Sequence, residues 1–128
     1  MGVTGIDHVQ LAAPAGAEEQ ARAFYGELLG LEEIEKPEPL RGRGGAWFSC
    51  GAQQLHVGIE HPFAPALKAH PALLVGAGGL RALAQRLERG GAEVDWDSSL
   101  HPLQRLYTHD PWGNRIELVE APPPAVDR

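Results

Sequence analysis

Three histidines and one glutamate occupy repeated positions in this 128-residue sequence. His8 and His56 are 48 positions apart, and His70 and Glu117 are 47 positions apart. Imidazole nitrogen and carboxylate oxygen together form a ligand set that suits Zn²⁺, Ni²⁺, Co²⁺, Fe²⁺ or Mn²⁺. Any one of these histidines could be a quietly hydrogen-bonded core residue, but the shared spacing of all four favours a metal site or a common polar site.

The elements that must position these residues follow the same repeat. Alternating apolar residues predict eight strands, at about 4 to 12, 31 to 36, 44 to 50, 53 to 60, 70 to 76, 92 to 96, 104 to 109 and 114 to 120. Apolar residues at helical spacing predict two helices, one through Ala21, Phe24, Tyr25 and Leu28 and one through Leu80, Leu83, Ala84 and Leu87. The order is βαβββ twice, which predicts an α+β fold of two tandem modules.

Strand alternation places the four candidate ligands on one face of the predicted sheet. Leu55 and Val57 lie opposite His56, and Ile116 and Leu118 lie opposite Glu117. The aliphatic face is expected to pack on the helices, leaving the ligands on the other, concave face. We therefore expect His8, His56, His70 and Glu117 to converge on one metal ion.

Length and composition predict a single domain over residues 1 to 121, with module one at about 4 to 60 and module two at about 70 to 120. Residues 122 to 128 are expected to be a flexible, proline-rich tail. The net charge of −6 argues against a nucleic-acid partner. No apolar run approaches a membrane span and no signal peptide is recognisable, so a cytoplasmic protein is expected. Its predicted partner is a small molecule, or another protein.

Other residues that could do chemistry are weaker candidates. Arg41 and Arg43, in a glycine-rich loop, could clamp an anionic substrate, although solvated loop charges are the simpler interpretation. Histidines in loops or beside turns are interpreted as solvated: His61, His101 and His109. Aromatic residues could line a pocket, with core or turn packing as the default: Trp47, Phe48, Tyr107 and Trp112.

Five runs of sequence resemble the vicinal oxygen chelate superfamily: IDHVQL, ARAFYGELLGLE, QLHVGIE, HPALLV and DPWGNRIELVE. That family includes glyoxalase I, methylmalonyl-CoA epimerase, extradiol dioxygenases and the fosfomycin and bleomycin resistance proteins. The resemblance covers residues 4 to 120. It implies paired βαβββ modules in a cupped, eight-stranded mixed sheet with helices on the outer face, a divalent metal in the cup and a homodimer.

The resemblance also implies roles for the four residues. His8 matches the first-strand ligand, His70 the fifth-strand ligand and Glu117 the last-strand glutamate. His56 departs from the family, because glyoxalase I typically has Glu there and the epimerase commonly Gln.

The expected function is a metal-dependent, glyoxalase-like lyase or isomerase acting on a small oxygen-chelating substrate, with His56 and Glu117 as catalytic residues. Two alternatives stay open. One is an extradiol-type dioxygenase that uses His8, His70 and Glu117, and the other is a metal-free protein that binds a small molecule such as an antibiotic.

Overall fold

The computed structural model describes residues 1 to 125, which fall in two compact units that meet in sequence between Pro65 and Ala66. The first unit contains strands β1 (His8–Ala13), β2 (Glu32–Ile34), β3 (Ala46–Cys50) and β4 (Gln53–Ile59). The second contains β5 (Ala72–Val75), β6 (Asp95–Trp96), β7 (Arg105–His109) and β8 (Arg115–Glu120). All eight strands fall within or beside the predicted ranges.

Each unit builds one four-stranded mixed sheet with the same topology. The strand orders are β1-β4-β3-β2 and β5-β8-β7-β6, and in each sheet the first and fourth strands of the module pair in parallel while the other pairs are antiparallel. This architecture confirms the prediction of two tandem βαβββ modules. Of the predicted tail, residues 126 to 128 lie outside the described part of the chain, and residues 121 to 125 form no helix or strand.

The first helix differs in detail from a regular α-helix. It begins as α1 (Glu18–Ala21) and continues as a π-helical segment (Arg22–Leu28), in which the Leu29 N–H donates to the carbonyl oxygen of Phe24. Phe24 and Tyr25 are still buried, so the apolar pattern indicated the buried face correctly. Apolar spacing over two turns cannot distinguish the wider π-helical bonding from an α-helix.

The second helix, α2 (Leu80–Arg89), matches its prediction and ends where a glycine pair begins. It buries Leu80, Leu83, Ala84 and Leu87. On the central strands β4 and β8 the aliphatic residues are buried as expected. On the edge strands the predicted aliphatic face is less buried: Val9 on β1 is 36% exposed, and Leu73 and Val75 on β5 are half-buried.

The loop before β3 is fixed by one carboxylate. It contains a 3₁₀ helix (Glu38–Arg43), and its last residue, Gly45, has a φ of 86° and donates its backbone N–H to Glu18 at 3.0 Å. A side chain at Gly45 would clash with the carbonyl oxygen of Val57. Glycine is therefore required here on two grounds, and the contact sets where β3 begins.

Candidate functional site

In the first unit, three flat rings from three neighbouring strands form a stack. The rings of Trp47 and His56 are 3.6 Å apart at an interplanar angle of 5°, and those of His56 and His8 are 4.2 Å apart at 20°. Strand register explains the first contact, because Trp47 and His56 are directly opposite one another on β3 and β4. His56, in the middle, is 3% exposed.

The ring of His56 is oriented by its own strand. Its Nε2 lies 2.9 Å from the amide oxygen of Gln54, which can only accept, so Nε2 carries the proton and Nδ1 carries the lone pair. Burial lowers the pKa of His56 below its usual 6.5, and the neighbouring His8 lowers it further. His56 is therefore a neutral imidazole near pH 7, with a basic nitrogen available.

His8 has the opposite orientation. Its Nδ1 lies 2.9 Å from a carboxylate oxygen of Asp7, so Nδ1 donates and, in the neutral ring, Nε2 carries the lone pair. The side chain of His8 is 42% exposed. A carboxylate on the far ring nitrogen is the arrangement that commonly orients a metal-binding histidine.

In the second unit, His70 and Glu117 form a direct pair. Nε2 of His70 lies 2.9 Å from Oε1 of Glu117, and the side chains are 23% and 11% exposed. Nδ1 of His70 lies 2.9 Å from the carbonyl oxygen of Lys68 and must donate to it. Tyr107, directly opposite Glu117 on β7, packs its ring edge-on against His70 at 5.4 Å.

Arg105 holds the other oxygen of Glu117. Its guanidinium donates to Oε2 of Glu117 and to the Tyr107 hydroxyl, each at 3.2 Å, and to Asp97 and Ser99, each at 3.0 Å. Burial raises the pKa of Glu117, but the hydrogen bonds from His70 and Arg105 outweigh it and the pKa lies below its usual value. Glu117 is therefore an ionised carboxylate fixed at both oxygens.

The four predicted residues thus form two pairs, His8 with His56 and His70 with Glu117, one pair in each unit. Within residues 1 to 125 no group of three or more His, Cys, Asp or Glu side chains forms a ready metal site. The histidines predicted to be solvated are exposed, and Arg41 is paired with Glu35. In that same described part, no helix is long and apolar enough to cross a membrane.

Arg105 and Gln54 were not predicted as site residues. The signal was present, because strand alternation places Arg105 and Tyr107 on the face of β7 that lies beside Glu117. The same argument places Gln54 beside His56 on β4. If the face argument had been applied to every residue of these strands, it would have found both.

Two tandem βαβββ modules with paired histidine and carboxylate donors define the class of protein. Residues 5 to 118 match the Glyoxalase/Bleomycin resistance protein/Dioxygenase superfamily, and the chain belongs to this family. A glyoxalase family protein from Bacillus anthracis is 51% identical, with a TM-score of 0.88 over 95% of this chain and 98% of that one.

Two more distant structures share the fold. Lactoylglutathione lyase from Agrobacterium tumefaciens is 21% identical, with a TM-score of 0.71 over 94% of this chain and 96% of that one. The fosfomycin resistance protein FosX from Listeria monocytogenes is 14% identical, with a TM-score of 0.74 over 95% and 97%. Comparison with curated proteins gave no match.

Proposed function

We propose that this protein is a divalent-metal-dependent enzyme of glyoxalase type, a lyase or isomerase acting on a small substrate that chelates through neighbouring oxygens. The observation that carries the proposal is the contact between His70 and Glu117. Both atoms in this contact, a ring nitrogen and a carboxylate oxygen, are donors that divalent metals accept.

The contact between His70 and Glu117 requires a proton or a metal ion between the two groups. Nδ1 of His70 already donates to the Lys68 carbonyl, so in a neutral ring Nε2 would turn a lone pair toward an ionised carboxylate. Two lone pairs at 2.9 Å repel unless a proton or a metal ion lies between the two groups. The donor set therefore fits a divalent cation that takes the place of the proton.

His8 shares this feature with His70 and is retained as a ligand. In both residues Nδ1 donates to an oxygen, which leaves Nε2 as the nitrogen that can bind a metal. We therefore propose His70 and Glu117 as metal ligands in the second unit and His8 as a metal ligand in the first, with His56 as a further ligand or as the proton-transfer group. When bound, the ion supplies Lewis acidity toward two neighbouring oxygens of the substrate.

His56 is suited to moving a proton. Its ring is neutral near pH 7, Gln54 holds Nε2–H, and Nδ1 is the atom that accepts. The stacked rings of Trp47 and His8 fix the plane of the imidazole, so the direction of its lone pair is set before substrate binds. Glu117 is fixed by Arg105 and stays ionised, as a ligand must.

Metal analysis tests the proposal directly. Protein purified without a tag or chelators should carry about one divalent ion per chain. His70→Ala and Glu117→Gln should each lose most of it, whereas His61→Ala, which removes an exposed loop histidine, should keep it. If wild-type protein binds less than about a fifth of an equivalent after incubation with each candidate metal, a metal-free binding protein is the better interpretation.

Two turnover assays separate the enzymatic candidates. The lyase or isomerase should convert the hemithioacetal of methylglyoxal and glutathione or a related α-hydroxycarbonyl compound. An extradiol-type dioxygenase should instead consume oxygen with a catechol, and it is favoured by one observation: two histidines and one carboxylate form the donor set of many non-haem iron oxygenases. Oxygen uptake with the Fe²⁺ form would replace the first candidate with the second.

We also propose that the protein forms a homodimer. Within residues 1 to 125, the edge strands β1 and β5 each have an unpaired side, and aliphatic residues near them are exposed: Ile6 at 67%, Val9 at 36% and Leu74 at 74%. Exposed edges with apolar side chains commonly pair or are covered. Light scattering after size-exclusion chromatography should give twice the chain mass of 13.8 kDa, and a monomer mass at micromolar concentration would reject this assembly.

A further inference from the structure

Arg115 lies on the same face of β8 as Glu117, and its hydrogen-bond donors are not used by the described residues. Its guanidinium carbon lies 3.8 Å above the centre of the Tyr107 ring. Within the described residues it makes no hydrogen bond or ion pair, and its side chain is only partly exposed. When a guanidinium stacks flat on an aromatic ring, its planar face contacts the ring. Its N–H groups lie in the guanidinium plane, so they stay available to a ligand.

The position of Arg115 within the module makes its lack of hydrogen bonds unusual. It lies two residues before Glu117, as Gln54 lies two residues before His56. The amide oxygen of Gln54 is hydrogen-bonded to the His56 ring, whereas the Arg115 guanidinium forms no hydrogen bond to a described residue. The equivalent position is thus structural in the first module and unused by the fold in the second.

The nearby acids are already neutralised by another residue. Arg105 forms ion pairs with both Glu117 and Asp97, and Arg115 is paired with neither. The charge of Arg115 makes only a minor contribution to the lowered pKa of Asp97, whose main cause is the hydrogen bonds with Ser99. Two arginines of the first unit differ from Arg115 because both are in ion pairs. In a cleft of about 290 Å³ in the first unit, Arg22 is paired with Glu33 and Arg41 with Glu35.

We propose that Arg115, supported by Tyr107, binds the anionic head group of the substrate. The substrate would then be a small carboxylate, phosphonate or phosphate ester that also carries chelating oxygens, a statement that rests on the function proposed above. Residues two apart on one face of a strand are roughly 7 Å apart, so the anion and the oxygens facing Glu117 are separated by only a few bonds. The guanidinium fork matches two oxygens of such a head group.

Titration with simple anions, followed by backbone amide chemical shifts of the full chain, tests the proposal. The probes are acetate, methylphosphonate and, as an uncharged match for acetate, acetamide. Wild-type protein should bind at least one anion and not acetamide, and Arg115→Gln should weaken that binding about tenfold. Comparison of the two anions shows whether the head group is a carboxylate or a phosphonate.

Two further variants keep the result interpretable. Arg89→Gln removes the same charge from an exposed helical position and should change the affinity by less than about twofold. Arg115→Lys retains the charge but not the two parallel N–H donors of the guanidinium, and should lose only part of the affinity. An intermediate affinity in this variant would show that weak binding by Arg115→Gln does not come from misfolding. Equal affinity of wild type and Arg115→Gln, or no anion binding by wild type, would overturn the proposal.

Metal content measured on the same samples separates this inference from the proposed function. Arg115→Gln should keep the metal content of wild type, because Arg115 is not a ligand. Anion binding that depends on Arg115 in a protein that takes up no metal would support the anion site and reject the metal-dependent function. Metal uptake by wild type together with anion binding that is absent, or that is unchanged in Arg115→Gln, would support the metal-dependent function and reject the anion site.

Discussion

In the first module a central imidazole lies between two flat rings, whereas in the second a central carboxylate lies between an imidazole and a guanidinium. The backbone positions are the same in both. Trp47 faces His56 across an antiparallel pair, and Tyr107 faces Glu117 in the same way. Register therefore fixes where each side chain lies, and side-chain identity alone makes one half neutral and the other ionic.

This difference divides the chemistry between the modules. The stacked imidazole is neutral and has one open nitrogen, which suits a group that accepts and returns a proton. The bonded carboxylate is ionised and cannot rotate, which suits a ligand. A duplicated fold can thus supply a base and an anionic ligand from one repeated strand position.

The largest expected effect comes from removing the central residue of the ionic half. Glu117→Ala should lower the free energy of unfolding by about 2 to 3 kcal/mol, because a mostly buried carboxylate and its hydrogen bonds are lost and its partners stay behind. His56→Ala, at the matched position, should cost about 1 kcal/mol, since only neutral contacts are lost. Urea denaturation at pH 7 measures both.

Glu117→Gln is the matched control for this comparison. It keeps the shape and one acceptor oxygen, so its cost should fall between those of wild type and Glu117→Ala. Equal destabilisation by Glu117→Ala and His56→Ala would show that the hydrogen bonds of Arg105 and His70 add nothing to stability, and the contrast between an ionic and a neutral half would be wrong.

Sequence patterns predicted the fold well because burial is periodic. Alternation found all eight strands, and the 48- and 47-residue spacings found the duplication. Strand alternation placed His70 and Glu117 on one face, but their direct contact was not predicted. The sequence pattern could not supply the cross-strand partners, since register depends on turn geometry. Strand alternation indicates which face of β7 carries Arg105, but the hydrogen bond from Arg105 to Glu117 and the stacking of Trp47 on His56 required the register.

A smaller effect is expected from removing the outer ring of the stack. Trp47→Leu should lower the free energy of unfolding by about 1 kcal/mol, because the leucine retains apolar contact but not the stacking on His56. It should also raise the pKa of His56, since burial is the main cause of its depression and the indole covers one face. Proton NMR of the His56 ring across pH 5 to 8 measures the second effect, and an unchanged pKa would show that the indole does not shield the ring.

The smallest expected effect is the pH dependence that His56 itself contributes. Its pKa is lower in the folded protein than the usual 6.5, so between the two values the unfolded chain binds more protons. Stability from this residue is therefore present above about pH 7 and is lost as the pH falls through 6.5 toward the folded pKa.

His56→Phe isolates this contribution, because phenylalanine keeps a flat ring in the stack but does not titrate. The difference in unfolding free energy between wild type and His56→Phe should shrink, or change in favour of the variant, as the pH is lowered from 7.5 to 5.5. His61→Ala, which removes an exposed histidine, should follow wild type throughout. A pH-independent difference would mean that His56 titrates alike in the folded and unfolded chains, and its role as a neutral, pre-oriented base would lose its physical support.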